Sequence, residues 1–168
     1  MDHDVTVWLK KIKEMKHGDI DLSRDEDLSI ALMNLISLEE HFYFSAMKTQ
    51  DQKYLDMLNS VRKVRRELLK LIVVNPQGEE WCISKHLLAA SMRLIEVGTK
   101  ELDKGKRKEA ELLFKYAFDM YSLFFALNLK LIEKKEIQKV VDDSLPQQQG
   151  MMQRISRFVK EMVDCCKE

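Results

Sequence analysis

The chain has 168 residues, 45% hydrophobic and 33% charged, and its 28 basic and 28 acidic side chains cancel to a formal net charge of zero. That length supports one sizeable core rather than two, and the apolar share is enough to offset the entropy of ordering, which excludes a disordered chain. The cancelled charge excludes a general attraction for nucleic acid or anionic lipid.

In chain order, Val5, Trp8, Leu9, Ile12 and Met15 recur at spacings of three and four, predicting a short amphipathic helix that ends near His17-Gly18. Ser23 or Asp21 is placed to cap the next helix, with Asp25, Glu26 and Asp27 at its positive end. That second helix is expected over about residues 24 to 48, and a third from Asp51 to about Val74 through Tyr54, Leu58, Val61, Leu68 and Leu71. Asn75-Pro76-Gln77-Gly78 is the sharpest break, because proline restricts the residue before it and glycine permits a turn.

A fourth helix is expected from Glu79 or Glu80 to about Asp103. After Lys104-Gly105-Lys106, the pattern predicts the most apolar helix over about 107 to 138. Apolar around most of its circumference from Leu112 to Phe125, it must be shielded on several sides and belongs at the centre of a bundle. Pro146-Gln147-Gln148-Gln149-Gly150 reads as a flexible connection, and Met151, Ile155, Phe158, Val159 and Met162 as a final short helix. The expected fold is all-α: an antiparallel bundle of about five main helices over residues 1–145, with a connector and amphipathic helix over 146–168 docked on it.

Gly98, Gly105, Ala110, Phe114 and Ala117 fall at a small-small-small-aromatic-small spacing, and the segment from Leu94 to Ala117 thereby resembles a single tetratricopeptide-type helical hairpin. The resemblance implies two helices in close approach at Gly98 and Ala110, a terminator at Gly105, and Phe114 and Ala117 packed along the second helix. Leu94, Glu101 and Arg107 stand where the repeat carries aromatic residues, and Ser122 where it carries proline. No second copy follows at about 34 residues, so an extended solenoid is not expected.

Cys82, His86, Ala89, Arg93, Glu96 and Lys100 share one side of the fourth helix. There His86, Arg93 and Glu96 are candidates to line a cleft with imidazole as base and guanidinium as anion binder, against the plainer reading of a solvated face. Glu40, His41 and His86 form an alternative metal set, extended by Glu67 and Glu96 if the bundle gathers them. Asp119 and Ser122 interrupt the apolar helix as a polar seam or pocket, with Lys115 four residues before Asp119.

The basic run Arg62-Lys63-Val64-Arg65-Arg66, offset by Asp56 and Glu67, reads as a solvent-facing helix side rather than a nucleic-acid surface. Cys82 reads as a buried structural thiol. Cys82, Cys165 and Cys166 have no framework spacing and suit reduced thiols of a cytoplasmic protein. Met1-Asp2-His3-Asp4 carries neither the basic nor the apolar part of a signal segment, and no apolar run approaches a bilayer's thickness, so no membrane association is expected.

No phosphate-cradling loop, nucleophile elbow, metalloprotease helix or calcium loop is present, and no cofactor is implied. Ten methionines mark adaptable packing surfaces. The reading is a helical interaction or scaffold protein with a protein partner or self-association, and the alternative is a helical enzyme or metal-binding protein with a His/Glu/Arg-lined pocket.

Overall fold

The computed structural model describes residues 22–132, 136–137 and 150–162. They form an all-α bundle of helices α1 (Ser23–Thr49), α2 (Lys53–Ile72), α3 (Glu80–Asp103), α4 (Arg107–Asn128) and α5 (Met151–Met162), with no strand among the described residues. The helix expected over Val5–Met15, the connection at Pro146–Gln149 and the tail thiols lie outside the described residues.

Short connections make α1 and α2 one helical hairpin and α3 and α4 another, and α5 packs on α4. Every residue of α4 from Tyr121 to Leu127 is buried, as expected for a helix covered on several sides. Leu32, Met33 and Ile36 of α1, Leu69 and Ile72 of α2, and Leu87 and Leu88 of α3 close around it with Met152, Ile155, Phe158 and Val159 of α5. The core therefore joins the first halves of α1 and α3 to the second halves of α2 and α4. Toward the two hairpin turns the same helices expose Tyr43, Phe44, Met47, Met57, Leu102 and Leu112.

Three local expectations change. Helix α1 begins without a side-chain cap: Leu22 holds the cap position, and its carbonyl accepts the Glu26 amide at 2.8 Å. Leu22 is itself buried in the core, so packing rather than a capping hydroxyl sets this end.

Helix α4 stops at Asn128, ten residues before the predicted end. Lys130 turns into the left-handed region at φ 57°, its amide bonds the Leu127 carbonyl at 3.1 Å, and the Leu131 amide bonds the Ala126 carbonyl at 2.8 Å. This is a Schellman termination with lysine where glycine is usual. Burial of Leu131 and Ile132 offsets the roughly 1 kcal/mol that a side chain costs at such a φ.

The third change is Arg65, which is buried on α2 instead of facing water with its basic neighbours. It falls in the series Leu58, Val61, Arg65, Leu69, Ile72, a three-and-four spacing that places it on the helix face turned to α1. The loop between the hairpins is tied down by Glu80, whose Oε2 accepts the Gln77 amide at 2.9 Å and the Lys130 Nζ at 2.7 Å.

Helices α3 and α4 are in close approach where Gly98 meets the Phe114 ring: a Cβ at Gly98 would lie 2.5 Å from Phe114 Cε1. Ala110 and Ala117 are buried, and Gly105 makes the intervening turn at φ 75°. Gly98→Val is therefore expected to destabilise the protein by about 1–3 kcal/mol through overpacking. Phe114→Ala in the same chain restores part of the loss, read as the urea midpoint of single and double variants.

Candidate functional site

Adjacent residues on a helix point about 100° apart, so neighbouring carboxylates can address two different helices. Glu39 and Glu40 of α1 do so. Glu39 receives Arg65 of α2 through two parallel bonds, Nε to Oε1 at 2.7 Å and Nη2 to Oε2 at 3.2 Å. The Arg65 side chain is only 4% exposed and that of Glu39 14%, so this ion pair is largely desolvated. Glu40 Oε2 accepts Arg93 Nε of α3 at 2.8 Å and a second bond from Nη2, while Arg93 Nη1 reaches Glu96 at 2.5 Å. Partial burial works against the Arg93 charge, but Glu40 and Glu96 outweigh it and hold the guanidinium above its ordinary pKa.

The predicted polar residues are placed as follows. Arg93 and Glu96 come together, and Glu40 from α1 joins them. His86 is exposed and stands about 10 Å along the helix axis from Arg93, two turns away, so the imidazole is not beside the guanidinium. Two carboxylates occupy the one arginine, which leaves the cluster with a surplus negative charge and disfavours a second anion there.

His41 is exposed, with its ring edge against Phe42. Among the described residues no three His, Cys, Asp or Glu side chains gather in a way that could hold a metal ion, so Glu40, His41 and His86 do not make the expected metal set. The cause is angular: His41 projects about 100° from Glu40, and Glu40 is engaged by Arg93. Cys82 is a free, exposed thiol rather than a buried one.

Asp119 is buried and doubly held, by Lys115 Nζ at 2.7 Å and by Ser156 Oγ of α5 at 2.9 Å. It thus ties α4 to the last helix. Ser122 is fully buried and its Oγ has no hydrogen-bond partner among the described residues.

Sequence reading missed a second buried polar link. The Ser29 Oγ donates to the Glu26 carbonyl at 2.6 Å, which uses its only proton, so the Tyr121 hydroxyl 2.7 Å away is the donor to Ser29. Burial pushes the Tyr121 phenol up to about 12, against a smaller downward pull from Ser29. The Ser91 Oγ bond to the Ala117 carbonyl and the Asn128 Nδ2 bond to Ser84 Oγ tie α3 to α4 in the same way. Small hydroxyls at apolar-phase positions were the available signal for these contacts.

The ionisable groups at the helix interfaces thus hold helices together. Among the described residues no helix is long and apolar enough to cross a membrane. Comparison with protein-family models, with curated proteins and with solved structures finds no significant match.

Glu39→Ala leaves the buried Arg65 guanidinium unpaired and is expected to cost about 3–5 kcal/mol, whereas Glu39→Leu with Arg65→Met recovers most of that, both read from urea unfolding. Tyr121 gives a pH signature. Its phenol is neutral in the folded state to about pH 12 and ionises near 10 when unfolded, so the stability it contributes is complete below pH 10 and is lost as pH rises from 10 toward 12. The full loss is about 3 kcal/mol for a shift of two pH units. The difference in urea midpoint between the native protein and Tyr121→Phe, followed from about pH 8 to about pH 11, is expected to change in that direction.

Proposed function

We propose that the protein works by presenting helix surfaces to a protein partner, as an interaction or scaffold protein of the cytoplasm. The observation that carries this reading is the end of α1 beyond Glu40, where Tyr43, Phe44 and Met47 are 48%, 58% and 53% exposed. Tyr43 and Phe44 meet edge to face with ring centroids 5.2 Å apart. Aromatic rings with a flexible thioether beside them are the residue types enriched at interface centres, and clustered exposure of this kind marks interaction surfaces.

The helical enzyme or metal-binding alternative draws less support. It requires His41, His86, Arg93 and Glu96 around one pocket, whereas both imidazoles are solvent-exposed and Arg93 is held between Glu40 and Glu96. A nucleic-acid partner is disfavoured by the zero net charge and by the loss of Arg65 from the basic run to the α1 interface.

Cross-linking of the protein inside cells, followed by mass spectrometry of the linked peptides, tests the reading. A discrete partner protein linked near Tyr43–Met47 is expected, with recovery reduced at least tenfold by Phe44→Asp. Recovery of no partner, or links that Phe44→Asp leaves unchanged, would sink it.

A further inference from the structure

The continuous core stops partway along the helices. Among the described residues it holds none of α1 after Ile36, none of α2 before Leu68, none of α3 after Met92 and none of α4 before Phe118. Outside it, contacts stay within a hairpin: Phe42 of α1 meets Tyr54 of α2, with ring centroids 6.4 Å apart, and Gly98 of α3 meets Phe114 of α4. The chain passes from one hairpin to the other through Val73–Glu79, at the far end of the core. Ser29 to Tyr121, inside the core, is one hydrogen bond between the hairpins. Beyond it, among the described residues, the pairing of Glu40 with Arg93 is the one hydrogen-bonded tie between them.

That tie differs in kind from its neighbour. Glu39 and Arg65 lie within one hairpin, are almost wholly desolvated and use both carboxylate oxygens, so parting them would strand a buried charge. Glu40 and Arg93 are 41% and 43% exposed, and an ion pair so open to water is weak and screened by salt. Arg93 also has a second carboxylate on its own helix, Glu96, three residues on. When Glu40 lets go, Arg93 therefore stays paired in cis and Glu40 enters water, so neither charge is left buried and alone. One guanidinium between a carboxylate across the gap and another beside it is a two-state element.

We infer that the Glu40–Arg93 pair is a releasable latch. The hairpins close when Glu40 holds Arg93, and they spread about the shared core when Arg93 falls back on Glu96. The latch governs access to the surface proposed above and rests on that reading for its purpose. On α1 the series Ser29, Met33, Ile36, Glu40, Tyr43, Met47 has intervals of four, three, four, three and four, so all six share one face. Its first three members are buried, Glu40 reaches α3, and Tyr43 and Met47 are half in water. Spreading uncovers more of this face, and a partner seated on it draws the equilibrium toward the open arrangement. Arg93 is thus a positioning residue for the Tyr43–Met47 surface.

Pulsed electron resonance between nitroxides at Lys48→Cys and Asp103→Cys measures the separation of the hairpin ends. The full chain is used, with Cys82, Cys165 and Cys166 replaced by serine. A closed and an open distance are expected. Raising salt from about 0.01 M to about 1 M shortens the screening length about tenfold. The open share then rises about threefold, the weight of a half-exposed ion pair. Arg93→Gln gives the same rise at low salt and abolishes the salt response. Glu96→Gln acts in the opposite direction, because it removes the fallback and leaves Arg93 to Glu40. Circular dichroism checks that each variant keeps its helices, and if Arg93→Gln does not, the salt series and Glu96→Gln decide.

A single distance that neither salt nor Arg93→Gln changes overturns the inference. So does a salt response that survives Arg93→Gln, or an open share that Glu96→Gln leaves unchanged or increases. The Phe44-dependent partner is measured separately. Fixed hairpins with that partner retained remove the latch and leave the wider reading standing, whereas moving hairpins with no such partner do the reverse.

Discussion

The arrangement of this bundle turns on two neighbouring carboxylates. Glu39 and Glu40 lie side by side on α1, yet one holds Arg65 of α2 and the other Arg93 of α3, so a single turn of one helix is tied to both hairpins. Desolvating an arginine–glutamate pair is costly, and apolar residues of the same volume often stabilise as well. What the pair adds is position. A bidentate guanidinium–carboxylate contact is satisfied in one geometry only, so it sets the level at which α2 lies along α1. The more exposed Arg93 contact marks the level at which α3 leaves α1.

On one side of that level lies the apolar core, and within it α4 is surrounded. Its polar groups are accommodated by bonding to neighbours: Tyr121 to Ser29 of α1, Asp119 to Ser156 of α5, and Asn128 to Ser84 of α3. Each of these bonds joins different helices, so α4 is held in rotation and register as well as by burial. An interior built only from Leu and Phe would permit several registers of similar energy.

Beyond the Glu40–Arg93 level Phe42 and Ala46 of α1 stay buried, but the character of the surface changes. Tyr43, Phe44 and Met47 continue on α1 into water, as does Met57 on α2. These side chains stand on regular helices, whose backbone is already ordered.

The helical class, the break at Asn75–Gly78, the bounds of α3 and the central place of α4 were all legible, because they follow from local period and from turn residues. Arg65 was legible in principle, since its phase among Leu58, Leu69 and Ile72 is that of a core residue, but its charge and basic neighbours argued for water. The candidate site was less legible. Arg93 and Glu96 could be paired from their spacing on one helix, whereas Glu40 enters from another helix and the two histidines stay apart.

The end of α4 could not be read at all: Lys130 adopts a glycine-like conformation only because Leu131 and Ile132 find a buried place to go. The sequence by itself determined which segments are helices and which faces are apolar, since both depend on residues within a few positions of one another. Which carboxylate meets which arginine, where α4 stops and which apolar stripes remain in water were decided by the tertiary structure. Those outcomes depend on the separation and rotation of helices distant in the chain, which no local spacing records.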